Sequence, residues 1–199
     1  MDSLHRATIA VRSVLSPRLL SPILLVVIGC GPSITPPAPF TPGTPDDPRE
    51  IILLARDYAF DPPAIDLVPG ETVTFQVVNG GLVPHEAVVG DSRVQDAWEA
   101  AEAAVAGAPP GPTPAVSVPP EVAGLRLVVE SGKRVDGSWT IPLGAASEVG
   151  GWFVGCHIPG HWAEGMVVPV RFIGPDGAPL GPDGLPLEPG ASARRAAGS

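Results

Sequence analysis

The sequence predicts an all-β domain, a sandwich or barrel carrying one inserted helix, preceded by a leader and a proline-rich tether. Three observations predict it. Residues 71–78, Glu-Thr-Val-Thr-Phe-Gln-Val-Val, alternate with Val73, Phe75 and Val77 on one face and Thr72, Thr74 and Gln76 on the other, the period of a half-buried strand. Short apolar runs recur between Gly/Pro turn signals from residue 51 to residue 172, the pattern of many short strands folded together. Only one stretch, 91–107, switches to a helical period.

The elements follow in order. Strands are expected at 51–56 and 64–67, and the turn Val68-Pro69-Gly70 launches the alternating strand at 71–78. A strand at 82–89 comes after Asn79-Gly80-Gly81. The helix comes next: Val94, Trp98, Ala101 and Val105 share one face, Ser92 with Gln95 resembles a capping box, and Pro109-Pro110 stops the run. Trp98 is expected to pack this helix across the sandwich, with Glu99 and Glu102 on its solvated face. A proline-rich loop runs to about residue 120, and strands are expected at 125–130, 134–141, 151–155 and 167–172.

The two ends are of different character. Arg6, Arg12 and Arg18 precede an apolar run from Leu19 to Gly29 that stops at Cys30, the marks of an export signal. The run is about half of the roughly 20 residues that a spanning helix needs. Val27-Ile28-Gly29-Cys30 resembles the lipobox of bacterial lipoproteins, which implies a lipid on Cys30. Residues 1–29 are thus read as signal peptide and 30–49 as lipidated cysteine and tether, with seven prolines between residues 31 and 48 keeping the tether extended. Residues 50–173 are the domain, with 91–120 its helical and proline-rich insertion. Residues 174–199, Gly-Pro-Asp-Gly repeats and then Ala/Ser/Arg, are read as a disordered tail.

Composition excludes several classes. With 27 Pro and 24 Gly against five Phe and one Tyr in 199 residues, much of the chain must be turn, tether or tail. The net charge of −9 excludes a basic nucleic-acid footprint. Without residues 1–29 the chain keeps 9 basic and 20 acidic side chains, net −11, which favours cationic partners. No nucleophile elbow, phosphate-binding loop or dinucleotide fingerprint is present, so no enzyme is expected.

One loop carries chemistry. Cys156-His157-Ile158-Pro159-Gly160-His161 runs into Trp162-Ala163-Glu164-Gly165-Met166, a thiol, an imidazole and a thioether at even spacing. One more imidazole completes a two-His, one-Cys site with a weak axial Met, the donor set of blue-copper electron-transfer centres. His85 is available for it. Zinc is the rival, since one Cys and two His can hold a catalytic zinc with an open position, but Met166 is a poor zinc partner and no carboxylate stands out as a general base. The chain has four His, and His5 leaves with the signal. After His85 and His161 only His157 remains, too few for a multicopper oxygen-reducing cluster, and a dinuclear centre would need a second Cys in the loop. His157 is expected to point away from the metal and to bond at the surface or to backbone.

From about residue 58 to residue 172 the chain resembles a cupredoxin, of the plastocyanin/azurin-like type 1 blue copper proteins. The resemblance is carried by Tyr58-Ala59-Phe60-Asp61-Pro62, Val68-Pro69-Gly70-Glu71, Pro84-His85-Glu86 and the Cys156–Met166 loop. It implies a Greek-key β-sandwich holding one copper ion through His85, Cys156, His161 and Met166. It also implies single-electron exchange between Cu(I) and Cu(II), with redox proteins such as a cytochrome, oxidase or reductase docking near His161. Such a protein would be extracytoplasmic, on the membrane or facing the periplasm. The chain departs from the family at Glu86, where many members have an Asn that ties two ligand loops. A Glu there resembles a subgroup of copper-tolerance proteins, which makes copper sequestration without dedicated electron transfer the alternative function.

Overall fold

The computed structural model describes residues 41–107 and 116–187, all within a unit spanning residues 37–199. The signal peptide, Cys30 and most of the tether lie outside the described residues. Among the described residues nine strands form two mixed sheets. In the first, β2 (Ala59–Asp61), β1 (Arg49–Arg56), β4 (Thr72–Asn79) and β7 (Arg134–Thr140) lie side by side in that order. In the second the order is β3 (Ile65–Leu67), β9 (Val167–Phe172), β8 (Trp152–Gly155), β5 (His85–Asp91) and β6 (Leu125–Val129). β1 runs parallel to β4 and β3 parallel to β9, while the other pairings are antiparallel. The expected β-sandwich with one inserted helix is what forms.

Period-two alternation builds the core. Leu53 and Ala55 of β1 and Val73, Phe75 and Val77 of β4 are fully buried, and they share one cluster with Ala87, Val89, Val129 and Val154 of the other sheet. Each Leu, Val and Phe side chain among them contributes about 1.5–3 kcal/mol on burial. Trp139 stacks on Trp152 with ring centroids 5.5 Å apart, closing the sandwich at the pole where β8 begins.

β5 is buried along its whole length, because both of its faces are covered. Ala87 and Val89 face the core, while Val88 lies under α1 (Ser92–Val105) in a second cluster with Val94 and Trp98. The helix therefore packs on the outer face of the second sheet. Gly90 permits this approach, since a Cβ there would stand 2.7 Å from Val94. The N-cap is Asp91 rather than Ser92: its Oδ1 accepts the Val94 N–H at 3.0 Å, a bond of about 1 kcal/mol.

Two boundaries differ from expectation for local reasons. β5 starts at His85 because Asn79 organises the preceding residues as a loop, donating to the Val83 carbonyl and accepting from Gly81 N–H, and Pro84 has no N–H for a ladder. The short β2 has too few residues for a period to show. From Gly174 to residue 187 the Gly-Pro-Asp-Gly repeats form hydrogen-bonded turns, with bridges Ile173–Pro179 and Leu180–Pro186. The rest of the expected tail lies outside the described residues.

Candidate metal centre

Strand register brings the loop and the distant histidine together. β8 and β9 pair as far as Gly155 with Val167, and the pairing extends one step, Cys156 N–H donating to the Met166 carbonyl at 3.0 Å. Inside that closure His161 N–H bonds the Ile158 carbonyl and Met166 N–H bonds the His161 carbonyl. Cys156, His161 and Met166 are thus fixed to one another through backbone. β5 lies beside β8, and the alternation of β5 turns His85 inward with Ala87 and Val89.

The side chains converge. Ligand atoms of His85, Cys156 and His161 all lie within 4.8 Å of one another. His85 Nδ1 stands 3.2 Å from His161 Nδ1, and Cys156 Sγ stands 3.3 Å from His161 Nδ1. His85 and Cys156 have no exposed surface and His161 is 7% exposed. Tyr58 sets its ring edge-on to His161 at 5.2 Å. Met166 is fully buried within the same core cluster as Cys156. Among the described residues this is the one group of three or more His, Cys, Asp or Glu side chains placed to hold a metal.

Electrostatics favour a cation here. Burial pushes the Cys156 thiol up to about 12, against the opposing N–H groups of Glu86 and Ile158. Burial also lowers His161, with His85 as the next cause. A buried thiolate needs a positive charge at close range, and a bound metal supplies one. Soft sulfur with two imidazoles fits copper by ligand type. Sandwich and donor triad together resemble a cupredoxin with a type 1 copper site.

No family model matches the chain, and no curated protein matches it. Solved structures that are similar include auracyanin B, 21% identical, with 67% of this chain and 95% of that one covered at a TM-score of 0.46. Auracyanin A, a "blue" copper protein of Chloroflexus aurantiacus, is 20% identical over 63% of this chain and 98% of its own, with a TM-score of 0.47. An azurin from Methylomonas sp. strain J is 16% identical over 62% and 97%, with a TM-score of 0.43.

Around the triad lies a polar layer that sequence reasoning missed. Glu86 is fully buried. Its Oε1 accepts the His157 N–H at 3.0 Å and its Oε2 accepts Arg126 Nε at 2.6 Å, while its own N–H points to Cys156 Sγ at 3.5 Å. Arg126 reaches on to Glu102 at 2.7 Å and lies 4.4 Å over the Trp98 ring. Glu86 therefore joins the β5 and Cys156 loops, the tie that the resemblance assigns to an Asn.

His157 does point away from the triad, but it is neither at the surface nor bonded to backbone through its ring. It is 1% exposed and stacked on Trp162 at 4.8 Å. Its Nδ1 meets Glu99 Oε2 at 2.9 Å and its Nε2 meets Gln95 Oε1 at 2.8 Å. The Gln95 amide nitrogen donates to the Val88, Gly90 and Phe153 carbonyls, which fixes its oxygen toward the ring. Both ring nitrogens face side-chain oxygens. Glu99 and Glu102 are accordingly working contacts of α1, and Glu102 is 7% exposed where a solvated face was expected.

Asp57 was also missed. Its Oδ1 accepts the Leu82 N–H at 2.9 Å and lies 3.2 Å from His85 Nε2. The Leu82 bond is the first cause holding its carboxyl below the ordinary carboxylate value. The residue stands 28 positions from its partner histidine and has no local pattern to mark it.

Proposed function

We propose that the protein is an exported, lipid-anchored electron carrier with a single type 1 copper held by His85, Cys156, His161 and Met166. The observation that carries this reading is the buried convergence of one thiol and two imidazoles, their ligand atoms within 4.8 Å of one another. Copper, when bound, supplies a one-electron Cu(I)/Cu(II) couple. Cys156 would hold the ion through its thiolate, His85 and His161 through their imidazoles, and Met166 through a weak thioether contact. The loop's closed backbone bonds and the Glu86 tie hold these donors in place in either oxidation state, so little need move when an electron passes.

β9 leaves the metal site at Val167 and runs to Phe172, β3 ends beside it at Leu67, and β4 and its parallel neighbour β1 begin at that same far pole. β1 thus begins, at Arg49, at the pole opposite the donor triad. Among the described residues no helix is long and apolar enough to cross a membrane. At the copper pole Leu82 is 85% exposed, with Val83 and Tyr58 also exposed. Such an apolar rim beside His161 suits brief docking of a cytochrome, oxidase or reductase. Glu86, the feature behind the alternative of copper sequestration, is engaged by Arg126 and the His157 N–H, a structural tie that an electron carrier also uses.

Adding Cu(II) to the purified domain should give an intense blue or green thiolate-to-copper absorption at one copper per chain, with reversible voltammetry. Stoichiometric zinc and no colour would overturn the reading. Lipidation is checked separately by mass spectrometry of the exported protein, where Cys30→Ser should remove the acyl mass and release the protein from membranes.

A further inference from the structure

We propose that Asp57 is a positioning residue for His85: its carboxylate selects the imidazole form whose Nδ1 is free to bind the metal, and its charge favours the oxidised ion. The inference rests on the copper reading of the triad for its second half and on geometry alone for its first. His85 Nδ1 faces into the triad and Nε2 faces Asp57 Oδ1 at 3.2 Å. A ring nitrogen that binds a metal must be bare, so the proton must sit on Nε2. Asp57 is the acceptor placed there. A carboxylate in that position fixes the ring's orientation and raises its basicity as a ligand.

The contact is built into the two loops that make it. Asp57 and Tyr58 form the turn between β1 and β2, and Tyr58 has φ of 64°, a left-handed conformation that is uncommon for a non-glycine residue. The same turn places the Tyr58 ring edge-on to His161 at 5.2 Å, so one turn touches both histidines. On the facing loop the Leu82 N–H holds the same Oδ1 at 2.9 Å. Gly81 leaves the space: a Cβ there would stand 2.3 Å from Asp57 Oδ1 and 2.8 Å from His85 Nε2. In the metal-free protein this arrangement makes His85 Nδ1 the acceptor in its contact with His161 Nδ1.

Nitrogen-15 NMR of the His85 ring in the metal-free protein tests the first half. The Nε2–H form should dominate in the unaltered chain. Asp57→Ala should shift the ratio toward Nδ1–H by about fivefold, the worth of one ordinary hydrogen bond, while Asp57→Asn, which keeps an acceptor oxygen, should hold it. In the copper-loaded protein Asp57→Asn should raise the reduction potential with the charge-transfer band retained, because a negative charge near the oxidised ion is lost. An Nδ1–H form in the unaltered chain overturns the proposal, as does an unchanged ratio in Asp57→Ala or an unchanged potential in Asp57→Asn. Should Asp57→Ala not fold, the unaltered ring and the Asp57→Asn potential still decide. Should the protein take no copper, the functional reading fails and the tautomer ratio alone judges Asp57.

Discussion

Glu86 Oε1 accepts the backbone N–H of His157 at 3.0 Å, so the residue after His85 is bonded to the residue after Cys156. This one bond joins segments 71 positions apart and puts a buried carboxylate at the back of the metal site. Arg126 sustains it, and Arg126 is itself held by Glu102 and Trp98 of α1. The inserted helix therefore acts on the centre through β6 and Glu86.

Arg126→Leu should destabilise the fold by about 3–5 kcal/mol, since removing one partner of a buried ion pair strands the other charge. Glu86→Gln keeps an amide oxygen for the His157 N–H and should cost less. In urea titrations the double variant should be clearly less damaged than the sum of the two, showing coupling. Additive effects would mean that the pair does not act as a unit.

Gln95→Leu should remove the donor that serves three carbonyls and the acceptor that faces His157 Nε2. Unsatisfied buried groups cost about 1–3 kcal/mol. Denaturant midpoints should fall accordingly, and amide exchange should quicken at the junction of α1 with β5 and β8. Unaltered exchange there would show that the amide holds nothing together.

The metal-free protein should lose stability at alkaline pH. Cys156 is raised from 9.0 to about 12, so the folded state holds a proton that the unfolded state gives up. Its contribution is complete below pH 9 and is lost as pH rises from 9 toward about 12, on the order of 4 kcal/mol in all. His161 works at the other end. Its folded value is lowered, so stability present above the ordinary histidine value is lost as pH falls through the folded one. Cys156→Ser should flatten the alkaline limb and leave the acid limb, as followed by thermal melts across pH.

Met166→Leu conserves volume and should cost less than about 1.5 kcal/mol. It should retain copper and the charge-transfer band while shifting the reduction potential if the Met166 thioether is the weak fourth donor. An unchanged potential would remove Met166 from the ligand set.

The strands were legible where their side chains alternate, as at Val73, Phe75 and Val77. The helix showed itself through Val94 and Trp98. The cap moved by one residue because Asp91 and Ser92 are both good caps, and the choice depended on where β5 releases the chain. Glu102 and His157 were misplaced for a shared reason, while Glu99 is exposed as expected and bonds His157 from there. Polar residues at helical spacing look solvated unless it is known that another loop lies against them, and α1 lies against the Cys156 loop.

By itself the sequence determined the loop Cys156–Met166 and its chemistry, because three donors within eleven residues are brought together by one turn. It also pointed to His85, since so few histidines were left to choose from. Only the tertiary structure decided what surrounds those donors: Asp57 on His85, Glu86 on His157, Arg126 on Glu86. Each of those contacts joins residues 28 to 71 positions apart. Contacts at that range are made by sheet pairing and helix packing, which leave no periodic trace at either residue.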